Sequence, residues 1–213
     1  MQRYDLTDGG LEPNFIGSWI MEPTSLSDNL VDYFENHKEK QTLGVTGSGY
    51  NSATKNSTDI SISPKDLSLP GNEVFESYFE NLFGCFRDYT SQWPFLISFI
   101  KSLEISPFNL QRYESGQHFQ KTHTERSSLA SLHRVFAWMT YLNDVSEEDG
   151  GATVFTHYDL SIQPKKGLTL IWPAEWTHAH RGGVMNANVK HIITGWMHFP
   201  NEENSGEDKV EIH

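Results

Sequence analysis

Pro164-Lys165-Lys166-Gly167-Leu168-Thr169-Leu170-Ile171-Trp172-Pro173 is a turn followed at once by a short β-type apolar run that stops at a second proline. Proline presets the backbone for a turn and glycine supplies the left-handed position, so the four residues from Pro164 read as a reversal between strands. The same grammar extends in both directions. β-type runs recur at about 97–105, 108–114, 118–124, 132–143, 152–155, 160–163, 167–172, 177–185 and 190–199. Glu147-Glu148-Asp149-Gly150-Gly151 and Arg181-Gly182-Gly183 punctuate them. Many short strands with turn signals at this interval predict a mainly β fold, a double-sheet antiparallel sandwich or jelly roll.

Upstream, the periodicity is helical. Leu30, Tyr33, Phe34 and His37 share one face of a helix that Ser25 or Ser27 caps and that runs to about Lys40. Val74, Phe75, Tyr78, Phe79, Leu82, Phe83 and Phe86 form the stripe of a second helix, with Asn72 as its cap and an end required before Pro94. These two helices are expected to cover one sheet. Residues 42–63 between them are rich in Gly, Ser, Thr and Asn, which predicts a surface loop or lid, with Ser57–Ile62 as an edge strand. A short strand is expected near Phe15 to Met21. The chain reads as one domain over residues 1–213, with a core at about 95–200, helical support and a flexible loop at about 15–94, and a polar tail from Asn201.

Composition narrows the function. The 213 residues carry a formal net charge of −12, so most of the surface would repel a nucleic-acid backbone and suit a neutral or basic substrate. Cys85 is the one cysteine, which excludes an intrachain disulfide and predicts a reducing compartment. No stretch has the length of apolar residues a membrane span needs, and the start of the chain has no apolar leader, so a cytoplasmic, soluble protein is expected.

His123-Thr124-Glu125 carries the chemistry. Residues i and i+2 of a strand project to one face, so one side chain can offer a nitrogen and the other an oxygen to a single ion. A third ligand has to come from another strand, and His178 and His180 in Trp176-Thr177-His178-Ala179-His180-Arg181-Gly182 are the candidates. Two imidazoles and a carboxylate make the facial triad that binds non-haem Fe(II) and leaves coordination positions open. Lys190 interrupts the apolar run Val189-Lys190-His191-Ile192-Ile193-Thr194-Gly195-Trp196. A lysine there is either an edge-strand charge facing solvent or an inward charge that needs a partner. The distal carboxylate of a 2-oxo acid is such a partner, with the hydroxyls of Tyr113, Tyr141 or Thr194 adding hydrogen bonds.

Residues 109–199 resemble the prolyl 4-hydroxylase family of Fe(II)/2-oxoglutarate dioxygenases. Tyr113-Glu114-Ser115-Gly116-Gln117-His118-Phe119 is similar to the family's approach to its first metal ligand. Tyr141-Leu142-Asn143 and Gly150-Gly151-Ala152-Thr153-Val154-Phe155 resemble its hairpin, and the stretch from Pro164 to Pro173 its strand before the second histidine. His180, Lys190 and Trp196 keep the family's spacing of ten and then six residues, which favours His180 over His178. The resemblance implies a double-stranded β-helix in which His123, Glu125 and His180 ligate Fe(II). It implies that Lys190 binds the C5 carboxylate of 2-oxoglutarate, that Tyr113 lines the co-substrate pocket and that the Tyr141 hydroxyl reaches the same carboxylate. O2 is the further co-substrate, with ascorbate a candidate auxiliary. The implied reaction is hydroxylation of a proline in a peptide or protein, coupled to decarboxylation of 2-oxoglutarate to succinate. Another amino-acid side chain, a small molecule, or a cupin-type metal protein that is not an oxygenase are the alternatives. The chain departs from the family pattern in four places. It has Glu125 in place of aspartate, one extra residue between Phe119 and His123, Gly183-Val184 after the second histidine, and Ala137 where some relatives carry threonine.

Overall fold

The structure, a computed structural model, describes residues 2–4, 13–47 and 49–200. The tail from Asn201 therefore lies outside the described residues. The first elements are β1 (Gln2–Arg3), β2 (Gly17–Ile20), helix α1 (Ser25–Asn36), β3 (Thr42–Leu43) and β4 (Thr58–Ile62). Helices α2 (Glu73–Gln92) and α3 (Phe95–Phe99) follow, then β5 (Glu104–Ile105), β6 (Phe108–Tyr113), β7 (Phe119–His123) and β8 (Arg134–Tyr141). The chain closes with β9 (Thr153–Phe155), β10 (Leu160–Ile162), β11 (Leu168–Pro173), β12 (His180–Gly182) and β13 (Lys190–His198).

The strands form two antiparallel sheets. The larger runs β1-β2-β11-β8-β13-β6-β4-β3, with β5 also on β13, and the smaller runs β10-β9-β12-β7. The jelly roll expected from the turn grammar is the observed architecture.

The larger sheet is covered on both faces, which explains why β8 reads as an almost unbroken apolar run. Phe136 and Trp138 pack with Phe34, Phe75, Tyr78, Phe79 and Leu82 of the two long helices. Ala137, Met139 and Tyr141 turn the other way and meet Phe155, Leu160, Ile162 and Trp172 between the sheets. Tyr113 and Tyr141, two of the candidate site residues, sit in this second layer. Phe108 anchors the first: it is fully buried and meets Phe75, Phe79 and Trp138 edge-on or tilted at 5.4, 5.0 and 6.1 Å. Phe108→Ala is expected to lower unfolding free energy by about 3–5 kcal/mol, read from the urea midpoint by circular dichroism.

Three expectations are corrected. Residues 97–105 are not one strand, because 95–99 form the single-turn helix α3 and only Glu104–Ile105 pair. The alternation that suggested a strand belongs to exposed residues: Phe95, Ile97 and Phe99 all face outward. Neither long helix has a side-chain cap. Asn72 instead donates through Nδ2 to the Asp66 carbonyl and accepts from the Tyr33 hydroxyl, tying α1 to the turn before α2. Helix α1 also ends at Asn36, with Lys38–Lys40 in a separate 3-10 turn. Among the described residues no helix is long and apolar enough to cross a membrane.

Candidate metal and co-substrate site

Strands β7 and β12 are antiparallel neighbours in the smaller sheet, and His123 and His180 stand directly opposite each other across them. The step from Phe119 to His123 on β7 is matched by the shorter step from Gly182 to His180 on β12. The surplus residues bulge β7 out of register, as a bulge does where a strand re-aims a side chain. The imidazole rings end up 4.5 Å apart.

Each imidazole is fixed by its own backbone. His123 Nδ1 lies 2.9 Å from the Lys121 carbonyl, and His180 Nδ1 lies 2.9 Å from the His178 carbonyl. A carbonyl only accepts, so each Nδ1 carries a proton and Nε2 is the atom free to ligate. Both Nε2 atoms face Glu125: Oε1 is 3.2 Å from His180 Nε2 and 4.0 Å from His123 Nε2. The three ligand atoms lie within 4.8 Å of one another. Glu125 Oε1 and His180 Nε2 are close enough for one divalent ion to be held by both.

Strand β7 stops at His123, so Glu125 does not stand on it as the i, i+2 argument supposed. Other contacts aim its carboxylate. The Trp196 indole donates to Glu125 Oε2 at 2.7 Å, and Arg134 donates to the Glu125 carbonyl at 3.0 Å while its guanidinium stacks 3.7 Å from the Trp196 ring centroid. One carboxylate oxygen is thereby held and the other left for the cluster. Burial alone would raise the Glu125 carboxyl. The contacts with His180 and His123 and the Trp196 hydrogen bond outweigh it and hold the group at about 2. Burial likewise pushes His123 down to about 4, so it is neutral at pH 7. A neutral imidazole and an ionised carboxylate are the protonation states a metal requires. Trp196→Phe removes the N–H and keeps the ring. It is expected to weaken Fe(II) binding by about ten- to a hundredfold, the range for a partner that orients a ligand, as measured by chelator competition.

Lys190 opens β13, which is flanked by β8 and β6 and is no edge strand. Its ammonium is therefore buried, at 3% exposure, and points between the sheets. Nζ donates to the Gly151 carbonyl at 2.7 Å and sits 4.7 Å from the Tyr113 ring centroid. Gly151 has φ +72°, and a Cβ there would lie 2.3 Å from Met185 Sδ, so only glycine brings that carbonyl to the lysine. Among the described residues no carboxylate pairs with the ammonium, and burial pushes it down to about 8. Two of its three N–H groups remain for a ligand.

The hydroxyls expected to help are already donating elsewhere: Tyr113 to Gln111 Oε1, Tyr141 to Thr153 Oγ1 and Thr194 to the Trp138 carbonyl. Of these four side chains, only Lys190 keeps N–H groups not spent on a neighbour. His178 sits in a 3-10 turn just before β12 and bonds the Asn14 carbonyl and the Thr177 hydroxyl, away from Glu125. Sequence reasoning missed Arg134 and gave Trp172 no part in the site. Trp172 Nε1 is a buried donor with no partner among the described residues, on a ring that meets His180 edge-on at 5.1 Å. An unpaired buried donor on a ring that meets the His180 imidazole fits a site that takes a metal and an oxygen-bearing ligand.

Residues 108–198 match the family described as 2OG-Fe(II) oxygenase superfamily. Over 82 residues the chain is 29% identical to prolyl 4-hydroxylase subunit alpha-1 of Gallus gallus, a stretch covering 35% of this chain and 16% of that protein. The Homo sapiens protein shows the same identity, with 15% of it covered. The chain thus matches only about a sixth of the length of these curated relatives. Among solved structures, a prolyl hydroxylase from Trichoplax adhaerens in complex with a hypoxia inducible factor peptide fragment superposes with a TM-score of 0.71. Its identity is 15%, over 88% of this chain and 85% of that one. A viral collagen prolyl hydroxylase from Paramecium Bursaria Chlorella virus-1, in its 2OG complex, gives a TM-score of 0.61 at 17% identity, over 89% and 98%. A Pseudomonas putida prolyl-4-hydroxylase gives 0.65 at 16%, over 92% and 98%. At these identities the likeness bears on the fold.

Proposed function

We propose, from the match of residues 108–198 to the 2OG-Fe(II) oxygenase superfamily, that this chain is an Fe(II)- and 2-oxoglutarate-dependent hydroxylase acting on a prolyl residue of a peptide or protein. The observation that carries the reading is the pairing of the His123–Glu125–His180 cluster with a buried ammonium that no carboxylate neutralises among the described residues. A metal cluster alone would suit many jelly-roll proteins. A second, inward-facing cation calls for a ligand that is anionic at its far end.

His123 Nε2, Glu125 Oε1 and His180 Nε2 would hold the iron, and Lys190 the C5 carboxylate of the co-substrate. When bound, Fe(II) with 2-oxoglutarate and O2 would supply oxidative decarboxylation coupled to oxygen insertion into a C–H bond. The protein's own contribution is placement. Tyr113 and Gly151 fix the ammonium from two sides, Trp196 and Arg134 fix the carboxylate ligand, and Phe155 and Trp172 wall the His180 ring against water. Exposed Leu129 lies four residues after Glu125 and exposed Trp176 four residues before His180, and both offer apolar contact to a substrate. The net charge of −12 suits a neutral or basic peptide. The single cysteine, Cys85, is buried and allows no intrachain disulfide, which accords with a reducing, cytoplasmic setting.

The test is to incubate the protein with Fe(II), 2-oxoglutarate, ascorbate and proline-containing peptides under air. Succinate should form in step with a peptide gaining one oxygen atom at proline. Oxidation of another residue would redirect the substrate assignment. Absence of succinate with every peptide, amino acid and small molecule tried would overturn the hydroxylase reading.

A further inference from the structure

Residues 44–57 have the composition of a surface loop, yet Lys55 near their end forms a buried ion pair with Asp59 of β4. Lys55 is 4% exposed and Asp59 6%, and their charged atoms lie 2.5 Å apart. Ser57, also buried, donates to Asp59 Oδ1 at 2.7 Å. Burying an ion pair costs desolvation that its Coulomb attraction often fails to recover, so it is weak evidence for stability.

The contacts of this pair lead to both halves of the site. Gln111 Nε2 donates to Asp59 Oδ2 at 3.1 Å, and the Tyr113 hydroxyl donates to Gln111 Oε1 at 2.7 Å. The polarity of that chain is forced: a carboxylate only accepts, so the amide must turn its N–H₂ to Asp59 and its oxygen to Tyr113. Tyr113 in turn places its ring against the Lys190 ammonium, its partner across β6 and β13. On the other side Lys55 Nζ stands 5.7 Å from the Phe119 ring centroid, and Phe119 stacks on His123 at 4.0 Å.

We propose that the buried Lys55–Asp59 ion pair is a positioning element for the co-substrate end of the site, acting through Gln111 on Tyr113 and through Tyr113 on the Lys190 ammonium. The proposal rests on the hydroxylase reading above. None of Lys55, Asp59 or Gln111 is expected to touch the co-substrate. They set the place of the side chain that does.

The experiment is calorimetric titration of the Mn(II)-loaded full chain with 2-oxoglutarate and with 2-oxovalerate, which lacks the distal carboxylate. Unsubstituted protein should prefer 2-oxoglutarate. In Gln111→Met and Asp59→Asn that preference should fall by about tenfold, because the lost hydrogen bonds involve or support charged groups. Mn(II) affinity should stay within about twofold, which a general loosening of the fold would not allow. Tyr113→Phe should give the same loss, and Gln111→Met combined with Tyr113→Phe no more than either alone. If Asp59→Asn does not fold, Gln111→Met decides. An unchanged preference in Gln111→Met, or losses that multiply in the double variant, would overturn this assignment while leaving the hydroxylase reading intact. Failure of the unsubstituted protein to prefer the dicarboxylate would overturn both.

Discussion

His180→Ala is expected to bind Fe(II) more than about a hundredfold more weakly than the unsubstituted chain, whereas His178→Ala should stay within about tenfold, the two sides of the range that separates a ligand from its outer partners. The two histidines differ by two positions in sequence and completely in surroundings. His180 stands opposite His123 with Nε2 turned to Glu125. His178 spends Nε2 on the Asn14 carbonyl and Nδ1 on the Thr177 hydroxyl. Removing His178 leaves those groups unpaired and costs stability, about 1–3 kcal/mol. Removing His180 takes away one of three ligand atoms. Chelator competition reports the affinity and thermal unfolding reports the fold, so the two effects separate. Equal loss of metal in both variants would show that the cluster is held together collectively and that His180 has no special part.

The second large effect concerns the ammonium. Lys190→Met should weaken 2-oxoglutarate binding by at least about thirtyfold, corresponding to the ~2 kcal/mol lower bound for truncating one member of a buried charge pair. The substitution should also make the ligand-free protein more stable. Burial holds the Lys190 ammonium down at about 8, against about 10.4 in an unfolded chain. Between those values the unfolded state binds more protons than the folded one, so the stability of the ligand-free protein rises with pH across that window. Co-substrate affinity runs the other way. It needs the charged form, so it should fall as pH rises through about 8, shifted upward by whatever the bound carboxylate adds. Both trends should be absent in Lys190→Met. Calorimetric titrations at pH 7 and pH 9 would read the second trend directly.

Much of this was legible in residue order, for reasons that differ from element to element. The jelly roll could be read because each turn carries its own chemistry, as in Pro164–Gly167 and Gly150–Gly151, and the strands between them alternate. His123 and Glu125 could be read as ligand types but not as a geometry: β7 ends at His123, and it is the indole of Trp196 that aims the carboxylate. The choice between His178 and His180 turned on a 3-10 turn that finishes just before β12, a boundary too fine for periodicity to fix. Whether Lys190 faces solvent depends on which strands flank β13, and strand order is a property of the whole sheet. Lys55 shows the same limit from the other side. Its polar neighbours in sequence suggest a surface loop, while Asp59 and Gln111 give it a buried setting. Phe95, Ile97 and Phe99 alternate like a strand yet form an exposed helical turn.

The central claim is that two imidazoles and one carboxylate hold a single ferrous ion within a co-substrate's length of a buried lysine. Anaerobic addition of Fe(II) and 2-oxoglutarate to the apoprotein tests it most directly, through the visible charge-transfer band of the chelated 2-oxo acid. One band should grow to an end point at one iron and one 2-oxoglutarate per chain, need higher 2-oxoglutarate in Lys190→Met, and be missing from His180→Ala. No band in the unsubstituted protein, or a band of full strength in His180→Ala, would contradict the account.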